Sequence, residues 1–135
     1  MLKRRIIPKI LIERRVVGGA LEFVSITTQR FSSVRIVGDP ISQAKLFESQ
    51  LADELVVLQR DGSQSGISEG FRTLLSRLAN ESFMPLAVGG GIDSVDKASY
   101  LISAGADKVI IGSAALTDPT LLSSIASRFG SQSIV

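Results

Sequence analysis

Short apolar runs alternate along the chain with longer segments in which apolar positions recur every three or four residues. Runs of the first kind predict buried strands and are found at 5–12, 54–58, 85–88 and 108–112. Segments of the second kind predict helices and are found at 38–52, 71–79, 94–104 and 118–129. Residues 132–135 have the composition of a strand that has just begun. This order predicts parallel strands joined by right-handed helical crossovers.

Local signals mark where several of these elements begin and end. The dipeptides Asp39-Pro40 and Asp118-Pro119 place a capping carboxylate and a proline where a helix starts. Gly105 stands where the third predicted helix ends. Residues 63–66, SQSG, predict a loop. We therefore expect four strand–helix units with short connections.

The chain also contains an internal repeat. Four pairs of identical residues recur 54 positions apart: Asp39 and Asp93, Ala44 and Ala98, Ala52 and Ala106, and Asp53 and Asp107. By this comparison both Asp39 and Asp93 cap helices. Duplication of a two-βα unit favours a (β/α) barrel. A doubly wound, nucleotide-binding sheet alternates the same elements and remains an alternative, although no P-loop lysine motif follows any predicted strand.

Composition narrows the chemistry that the chain can perform. The 135 residues are 44% hydrophobic, which suits one domain with a buried core. Cysteine and histidine are both absent, which excludes thiolate and imidazole chemistry, and we expect neither a metal nor an organic cofactor. A net charge of +2 does not indicate nucleic-acid binding. With no apolar run of about 18 residues and no secretory signal, we expect a soluble cytoplasmic protein without a membrane partner.

Three adjacent glycines, Gly89–Gly91, stand where a predicted strand passes into a helix. They are typical either of a phosphate-binding turn, which needs close approach to backbone amides, or of a sharp turn without a ligand. The next strand ends near Ser113 and Ala114, and neighbouring parallel strands deliver their loops to one edge. The sequence therefore predicts an anion site formed by Gly90, Gly91, Ser113 and Ala114.

Charged residues mark the opposite ends of the predicted strands. Arg5, Glu54 and Lys108 each lie at or just before the start of an apolar run. Such residues often mark only the boundary with solvent. Alternatively, their mixed signs would let them pair in a ring at the base of a barrel.

Six segments of the chain resemble one known family: KRRIIPKILI, GDPI, ADEL, MPLAVGGGI, GADKV and RFGSQS. The resemblance is to the amino-terminal half of HisF, the cyclase subunit of imidazole glycerol phosphate synthase. It implies half of a TIM barrel, with four βα units and the start of a fifth strand, in a single domain over 1–135. It also implies a place in histidine biosynthesis, in a glutamine amidotransferase system with lyase activity and a glutaminase partner.

The resemblance assigns roles to particular residues. It implies that Gly90, Gly91, Ser113 and Ala114 bind a phosphate of the substrate. It implies that Arg5, Glu54 and Lys108 form part of an ammonia gate. The carboxylates that the family uses for acid–base chemistry fall at Leu11 and Gln59, and neither side chain can exchange protons at neutral pH. We therefore assign no catalytic residue and expect that this chain alone has no cyclase activity.

Two other functions stay open. The chain could be a non-catalytic phosphate-binding half barrel that forms homo-oligomers through its open sheet edges. It also resembles HisF-like proteins associated with sugar amidation in surface-polysaccharide synthesis, which tend to be apolar at the position of Leu11. Asp61 precedes a glycine and fits a turn better than a catalytic role.

Overall fold

The fold was analysed in a computed structural model, which describes residues 2–62 and 68–135. The predicted loop 63–66 lies outside the described residues. The strands of the described part are β1 Lys9–Val17, β2 Ala20–Gln29, β3 Ser33–Gly38, β4 Leu55–Gln59, β5 Leu86–Gly89 and β6 Lys108–Ile110. The helices there are α1 Pro40–Ser49, α2 Glu69–Glu81, α3 Val95–Ser103, α4 Ser113–Thr117 and α5 Thr120–Phe129, and a 3₁₀ turn spans Ser131–Ser133.

The strands form one sheet in the order β3-β2-β1-β4-β5-β6. The four strands β1, β4, β5 and β6 are parallel, and helices connect β4 to β5 and β5 to β6. Strands β2 and β3 form an antiparallel ribbon beside β1. A mostly parallel sheet with alternating strands and helices confirms the predicted fold class, half of a TIM barrel.

The beginning of the chain differs from the prediction. Strand β1 spans Lys9–Val17 instead of 5–12, and the ribbon of β2 and β3 was not predicted. A tight turn at Gly18 and Gly19, with φ of 57° and 84°, reverses the chain so that β2 pairs with β1. Residues before β1 still bond towards β4, because the Pro8 carbonyl accepts from the Val56 amide at 2.9 Å.

Helix boundaries follow the predicted signals except at two helix starts. Helix α5 has Pro119 as its N-cap instead of the predicted Asp118, whose Oδ1 accepts from the Thr120 amide at 3.2 Å. Asp39 caps α1, accepting a hydrogen bond from the Ser42 amide at 2.8 Å, and Gly105 follows α3 with φ of 124°. The prediction that Asp93 caps α3 was wrong. Ser94 is the N-cap, and its hydroxyl oxygen accepts from the Lys97 amide at 3.2 Å. The short helix α4, Ser113–Thr117, was also not predicted.

The internal repeat has a structural counterpart at the starts of two strands. Asp53 accepts a hydrogen bond from the Ile6 amide at 2.8 Å, and Asp107 accepts one from the Leu86 amide at 2.8 Å. Asp107 thus secures the backbone of the neighbouring strand β5, and Asp53 secures the segment that leads into the neighbouring strand β1. The equivalence supports the interpretation of the repeat as the duplication of a two-βα unit.

At the end of the described chain, only the last two residues extend the sheet. Residues 132–133 of the predicted strand 132–135 belong to the 3₁₀ turn, and Ile134 forms a parallel bridge with Val109. The Val135 amide donates to the Val109 carbonyl at 2.9 Å. The predicted strand beside β6 is therefore confirmed for Ile134 and Val135 alone.

Two adjacent rows of residues show how differently the faces of the sheet are covered. Cross-strand partners share a face of a sheet. The row facing the helices is fully buried and consists of Ile10, Val57, Val88 and Val109. The neighbouring row on the other face runs across all six strands and consists of Ile36, Ile26, Leu11, Leu58, Gly89 and Ile110. This second row is apolar throughout, and Leu11, Leu58 and Ile110 are only half-buried. We call it the inner row.

Candidate functional site

A cleft of about 580 Å³ lies at the carboxyl ends of the parallel strands. In parallel barrels this edge carries the binding and catalytic loops. The cleft is lined by Leu11, Leu58, Gln59, Gly90, Gly91, Ile92, Asp93, Ile110, Gly112, Ser113, Ala114 and Thr117. The four residues that the sequence predicts as a phosphate site, Gly90, Gly91, Ser113 and Ala114, therefore face one space.

Close contacts or a positive φ require glycine at each of the three consecutive positions. A Cβ atom on Gly89 would lie 2.8 Å from Ile110 Cβ and 2.9 Å from Leu58 Cδ2, so this position is closed by strand packing. A Cβ atom on Gly90 would lie 2.9 Å from the backbone nitrogen of Gln59 and closer still to its carbonyl oxygen. Gly90 and Gly91 also have φ of 121° and 67°, which L side chains rarely adopt. The turn into α3 thus needs glycine for shape alone, whether or not an anion binds.

The second loop of the cleft follows β6. Gly112 precedes α4, and a Cβ atom added there would meet no atom within 4 Å. Ser113 is exposed and Ala114 half-buried. This side of the cleft therefore has small side chains and open space above the backbone, as a site for a bulky oxyanion requires.

Leu11 and Gln59, the positions where the family's carboxylates are expected, both line the cleft. Gln59 is buried, and its Nε2 donates to Asp61 Oδ1 at 3.0 Å. Asp61 also lies 3.4 Å from Arg14 Nε. The geometry thus places an apolar and an amide side chain where acid–base chemistry would need ionisable groups.

A buried carboxylate stands near the ends of β1 and β4. Glu13 Oε2 accepts from Arg15 Nε at 2.7 Å, and Glu13 Oε1 accepts from Arg60 Nη1. Both oxygens are therefore engaged by guanidinium groups. The pairing ties β1 to the residue that follows β4, which favours a structural role for this carboxylate.

The glycine turn is braced by a lysine that the sequence analysis did not single out. Lys97 Nζ donates to the Gly91 carbonyl at 3.3 Å and lies 2.9 Å from Asp93 Oδ1. Asp93 is itself part of the cleft wall. The spacing of Asp93 and Lys97, four residues apart across the start of a helix, is the sequence signal that could have revealed the pair.

The three predicted gate residues converge at the opposite end of the strands. Glu54 Oε2 lies 3.3 Å from Arg5 Nη1, and Glu54 Oε1 lies 3.1 Å from Lys108 Nζ. The Glu54 side chain is only 5% exposed, whereas both cations reach solvent. One buried carboxylate thus joins the chain before β1 to the start of β6.

A second carboxylate secures the same end of the sheet. The Ile6 amide hydrogen bond lowers the pKa of Asp53 below its usual value, and Lys3 at 3.2 Å acts in the same direction. The Asp53 side chain is only partly buried, so its charge is accessible to salt. It nevertheless fixes the segment that carries Arg5 against the strand that Glu54 precedes.

The fold defines the class of protein as a half TIM barrel, with a cleft at the carboxyl ends of its parallel strands. The family model described as "Histidine biosynthesis protein" matches residues 5–135. The chain therefore belongs to the histidine biosynthesis protein family.

Curated relatives agree with this assignment. The chain is 41% identical over 138 residues to a putative imidazole glycerol phosphate synthase subunit hisF2 of Prochlorococcus marinus, covering all of this chain and 51% of that protein. It is 42% identical over 135 residues to the putative subunit HisF of Leptospira interrogans, and 41% identical over 136 residues to HisF of Dictyoglomus turgidum. Each match covers all of this chain and 50% of the relative. The chain thus spans about half the length of the curated relatives it matches.

The helices were also compared with the dimensions of a lipid bilayer. Among the described residues, every helix is too short or too polar to cross a membrane.

Proposed function

We propose that this chain forms the amino-terminal half of a HisF-like subunit in a glutamine amidotransferase system, and that its cleft binds a phosphorylated small molecule. The observation that carries the proposal is that the Gly90–Gly91 turn and the loop bearing Ser113 and Ala114 line one cleft. The names of the relatives, which are imidazole glycerol phosphate synthase subunits, support a phosphorylated ligand.

The cleft has the means to hold an oxyanion. Glycines leave backbone amides open to close approach, and successive amides in a turn form an anion-binding concavity. Ser113 adds an exposed hydroxyl group from the neighbouring loop. Phosphate oxygens can accept hydrogen bonds from both, which a single loop could not offer.

Gly112 provides a test of this binding that separates charge from shape. Because a Cβ atom there meets nothing within 4 Å, Gly112→Asp and Gly112→Asn introduce side chains of equal size and equal backbone strain. Inorganic phosphate at about ten times its Kd should stabilise the unmodified chain by about 1.4 kcal/mol in thermal unfolding, relative to chloride at equal ionic strength. The Asp variant should lose this stabilisation and the Asn variant should keep most of it. Equal phosphate effects in both variants, or none in the unmodified chain, would rule out the site.

We further propose that Arg5, Glu54 and Lys108 act as part of a gate for ammonia supplied by a glutaminase partner. Small movements of the exposed Arg5 and the half-buried Lys108 around one buried carboxylate could open or close a passage without unfolding a strand. Substitution of Lys108 by Met should alter ammonia transfer in a complex with a glutaminase while leaving phosphate binding in the distant cleft unchanged. Loss of phosphate binding in that variant would instead indicate a general structural role.

The chain alone is expected to lack cyclase activity. Leu11 and Gln59 offer no proton donor or acceptor of suitable pKa at the cleft. Ammonia-dependent turnover of the phosphoribosyl substrate should therefore be undetectable with this chain at saturating substrate. Measurable turnover would show that another group performs the acid–base steps.

Self-association through the inner row is a second proposal, and it is compatible with the first. The row is apolar across all six strands, and Ile36 at its outer end is exposed. An apolar face of this kind favours burial against a second copy, which would present the same row. Sedimentation velocity should show a dimer or larger species for the unmodified chain.

A charge in the centre of the inner row tests this association. Leu58→Glu should shift the chain towards the monomer, because its side chain lies in the middle of the row. The matched control is Phe83→Glu, at a side chain that is 97% exposed and outside the row. A compact monomer of the unmodified chain at high concentration would refute the proposal.

A further inference from the structure

The orientation of one peptide in the glycine turn is controlled from the following helix. Lys97 Nζ donates to the Gly91 carbonyl at 3.3 Å, so this oxygen points towards the lysine. The C=O and N–H of one trans peptide point in opposite directions. The amide of Ile92, in the same peptide, is therefore directed away from Lys97. Both Gly91 and Ile92 line the cleft.

The glycine at this position makes that orientation reversible. Gly91 has φ of 67°, and without a Cβ atom it passes between backbone states at little cost. A peptide that follows such a residue can rotate and exchange the positions of its oxygen and its N–H. An oxygen turned towards an anion repels it, whereas an N–H attracts it. A contact that holds the oxygen aside therefore favours anion binding.

The lysine also compensates for a negative charge in the cleft wall. Asp93 lines the cleft, and its Oδ1 lies 2.9 Å from Lys97 Nζ. The Lys97 side chain is 27% exposed and that of Asp93 is 65% exposed, so water and salt screen this pair in part. Without the lysine, an anion in the cleft would face an uncompensated carboxylate.

Resting on the phosphate site proposed above, we propose that Lys97 is a positioning residue for anion binding. It orients the Gly91–Ile92 peptide and neutralises Asp93. The backbone of Lys97 is itself fixed, because its amide donates to the Ser94 hydroxyl oxygen at 3.2 Å at the start of α3. The same residue thus links the N-cap of the helix to the turn that precedes it.

The test is a titration of the full chain and its variants with inorganic phosphate, in which isothermal titration calorimetry measures the Kd. Lys97→Met should weaken phosphate binding roughly five- to tenfold, because one charge-assisted hydrogen bond and one compensating charge are lost. Lys97→Arg keeps a cation and donors and should restore most of the affinity. Lys45→Met is the matched control, since Lys45 pairs with Glu81 at 3.0 Å outside the cleft, and it should bind phosphate as the unmodified chain does.

Asp93→Asn separates the two effects. The single variant should bind phosphate roughly two- to fivefold more tightly, because a negative charge leaves the cleft. In the Asp93→Asn background, Lys97→Met should still weaken binding, because the peptide has lost its brace. In the amide NMR spectrum of Lys97→Met, the phosphate-induced shift of Ile92 should shrink while those of Ser113 and Ala114 persist.

The outcomes distinguish this inference from the function on which it rests. If the unmodified chain binds phosphate and Lys97→Met binds it equally well, the positioning role is overturned and the site stands. If the unmodified chain binds no phosphate, the site and the role of Lys97 are both overturned. A weaker Lys97→Met variant whose affinity Lys97→Arg restores, with unchanged far-UV circular dichroism, supports the inference.

Discussion

Replacing Gly90 by alanine tests the packing of the turn that forms the cleft. The added Cβ atom would lie 2.9 Å from the backbone nitrogen and 3.0 Å from the carbonyl carbon of Gln59, and closer to the carbonyl oxygen. These are main-chain atoms of β4, so no side chain can rotate to make room. Overpacking of this kind costs about 1–3 kcal/mol, and φ of 121° adds about 1–3 kcal/mol for a residue with a Cβ atom. We expect Gly90→Ala to lower the free energy of unfolding by about 2–6 kcal/mol.

Gly70 provides a control with the same chemical change. It lies in the first turn of α2, and its added Cβ atom would make an ordinary 3.5 Å contact with Phe23 Cε2. Alanine is favoured over glycine in a helix by about 0.5–1 kcal/mol, so Gly70→Ala should stabilise the chain by about that amount. The two substitutions therefore differ in sign.

Urea unfolding followed by far-UV circular dichroism is the suitable assay, because the chain has no tryptophan and one tyrosine. The midpoint for Gly90→Ala should fall strongly, and the slope with denaturant should stay unchanged if only the native state is affected. A Gly90→Ala variant within about 1 kcal/mol of the unmodified chain would refute the reasoning. It would mean that the turn relaxes freely and that β4 does not define its position.

Three further predictions concern single contacts. Lys108→Met should lower the free energy of unfolding in urea by about 1–2 kcal/mol, because Glu54 stays buried with one partner fewer. Arg5→Met should lower it by less, because the Arg5 side chain is 59% exposed. The reverse order would contradict the role of Glu54 as the centre of the group. Leu51→Gly should raise the melting temperature, because Leu51 is 84% exposed with φ of 64°; a lower melting temperature would show that its side chain stabilises the fold. The depressed pKa of Asp53 adds stability that is complete above the unfolded-state pKa, near 4, and is lost as pH falls through the folded-state pKa. Asp53→Asn should therefore reduce the difference in stability between pH 7 and pH 3. An unchanged difference would contradict the stabilising role of this carboxylate.

The parallel part of the fold was predictable because its signals are local and strong. Asp39 with Pro40 marks the start of α1, and Gly105 marks the end of α3, by backbone requirements that neighbouring residues do not override. The fully buried rows of β4 and β5 read as continuous apolar runs, as strands covered by helices do. These elements account for the confirmed half-barrel fold.

The antiparallel ribbon was missed because its alternation is weak. Val16 and Leu21 face each other across the Gly18-Gly19 turn and are both exposed, so the polar and apolar positions there do not alternate cleanly. Asp93 and Ser94 are adjacent residues that can each cap a helix; Ser94 is the N-cap, and Asp93 pairs instead with Lys97, four residues further on. A propensity rule cannot choose between two good caps.

For the candidate site, sequence spacing predicts which loops meet but not how they are held. Parallel strands bring Gly90 and Ser113 to one edge, which follows from topology alone. The bond from Lys97 to the Gly91 carbonyl depends on a lysine turning back over the start of α3, and the inner row depends on strand register. The inner row, which is assembled from six strands, is a three-dimensional consequence that no single segment contains.

The most direct test of the account is to map phosphate onto the chain by amide NMR. Inorganic phosphate, added at constant ionic strength, should produce saturable shifts at the amides of Gly90, Gly91, Ser113 and Ala114, with one common Kd and no comparable shift at Lys108 in the distant charged group. If these amides stay unmoved, or if they respond with unrelated affinities, the cleft is not an anion site.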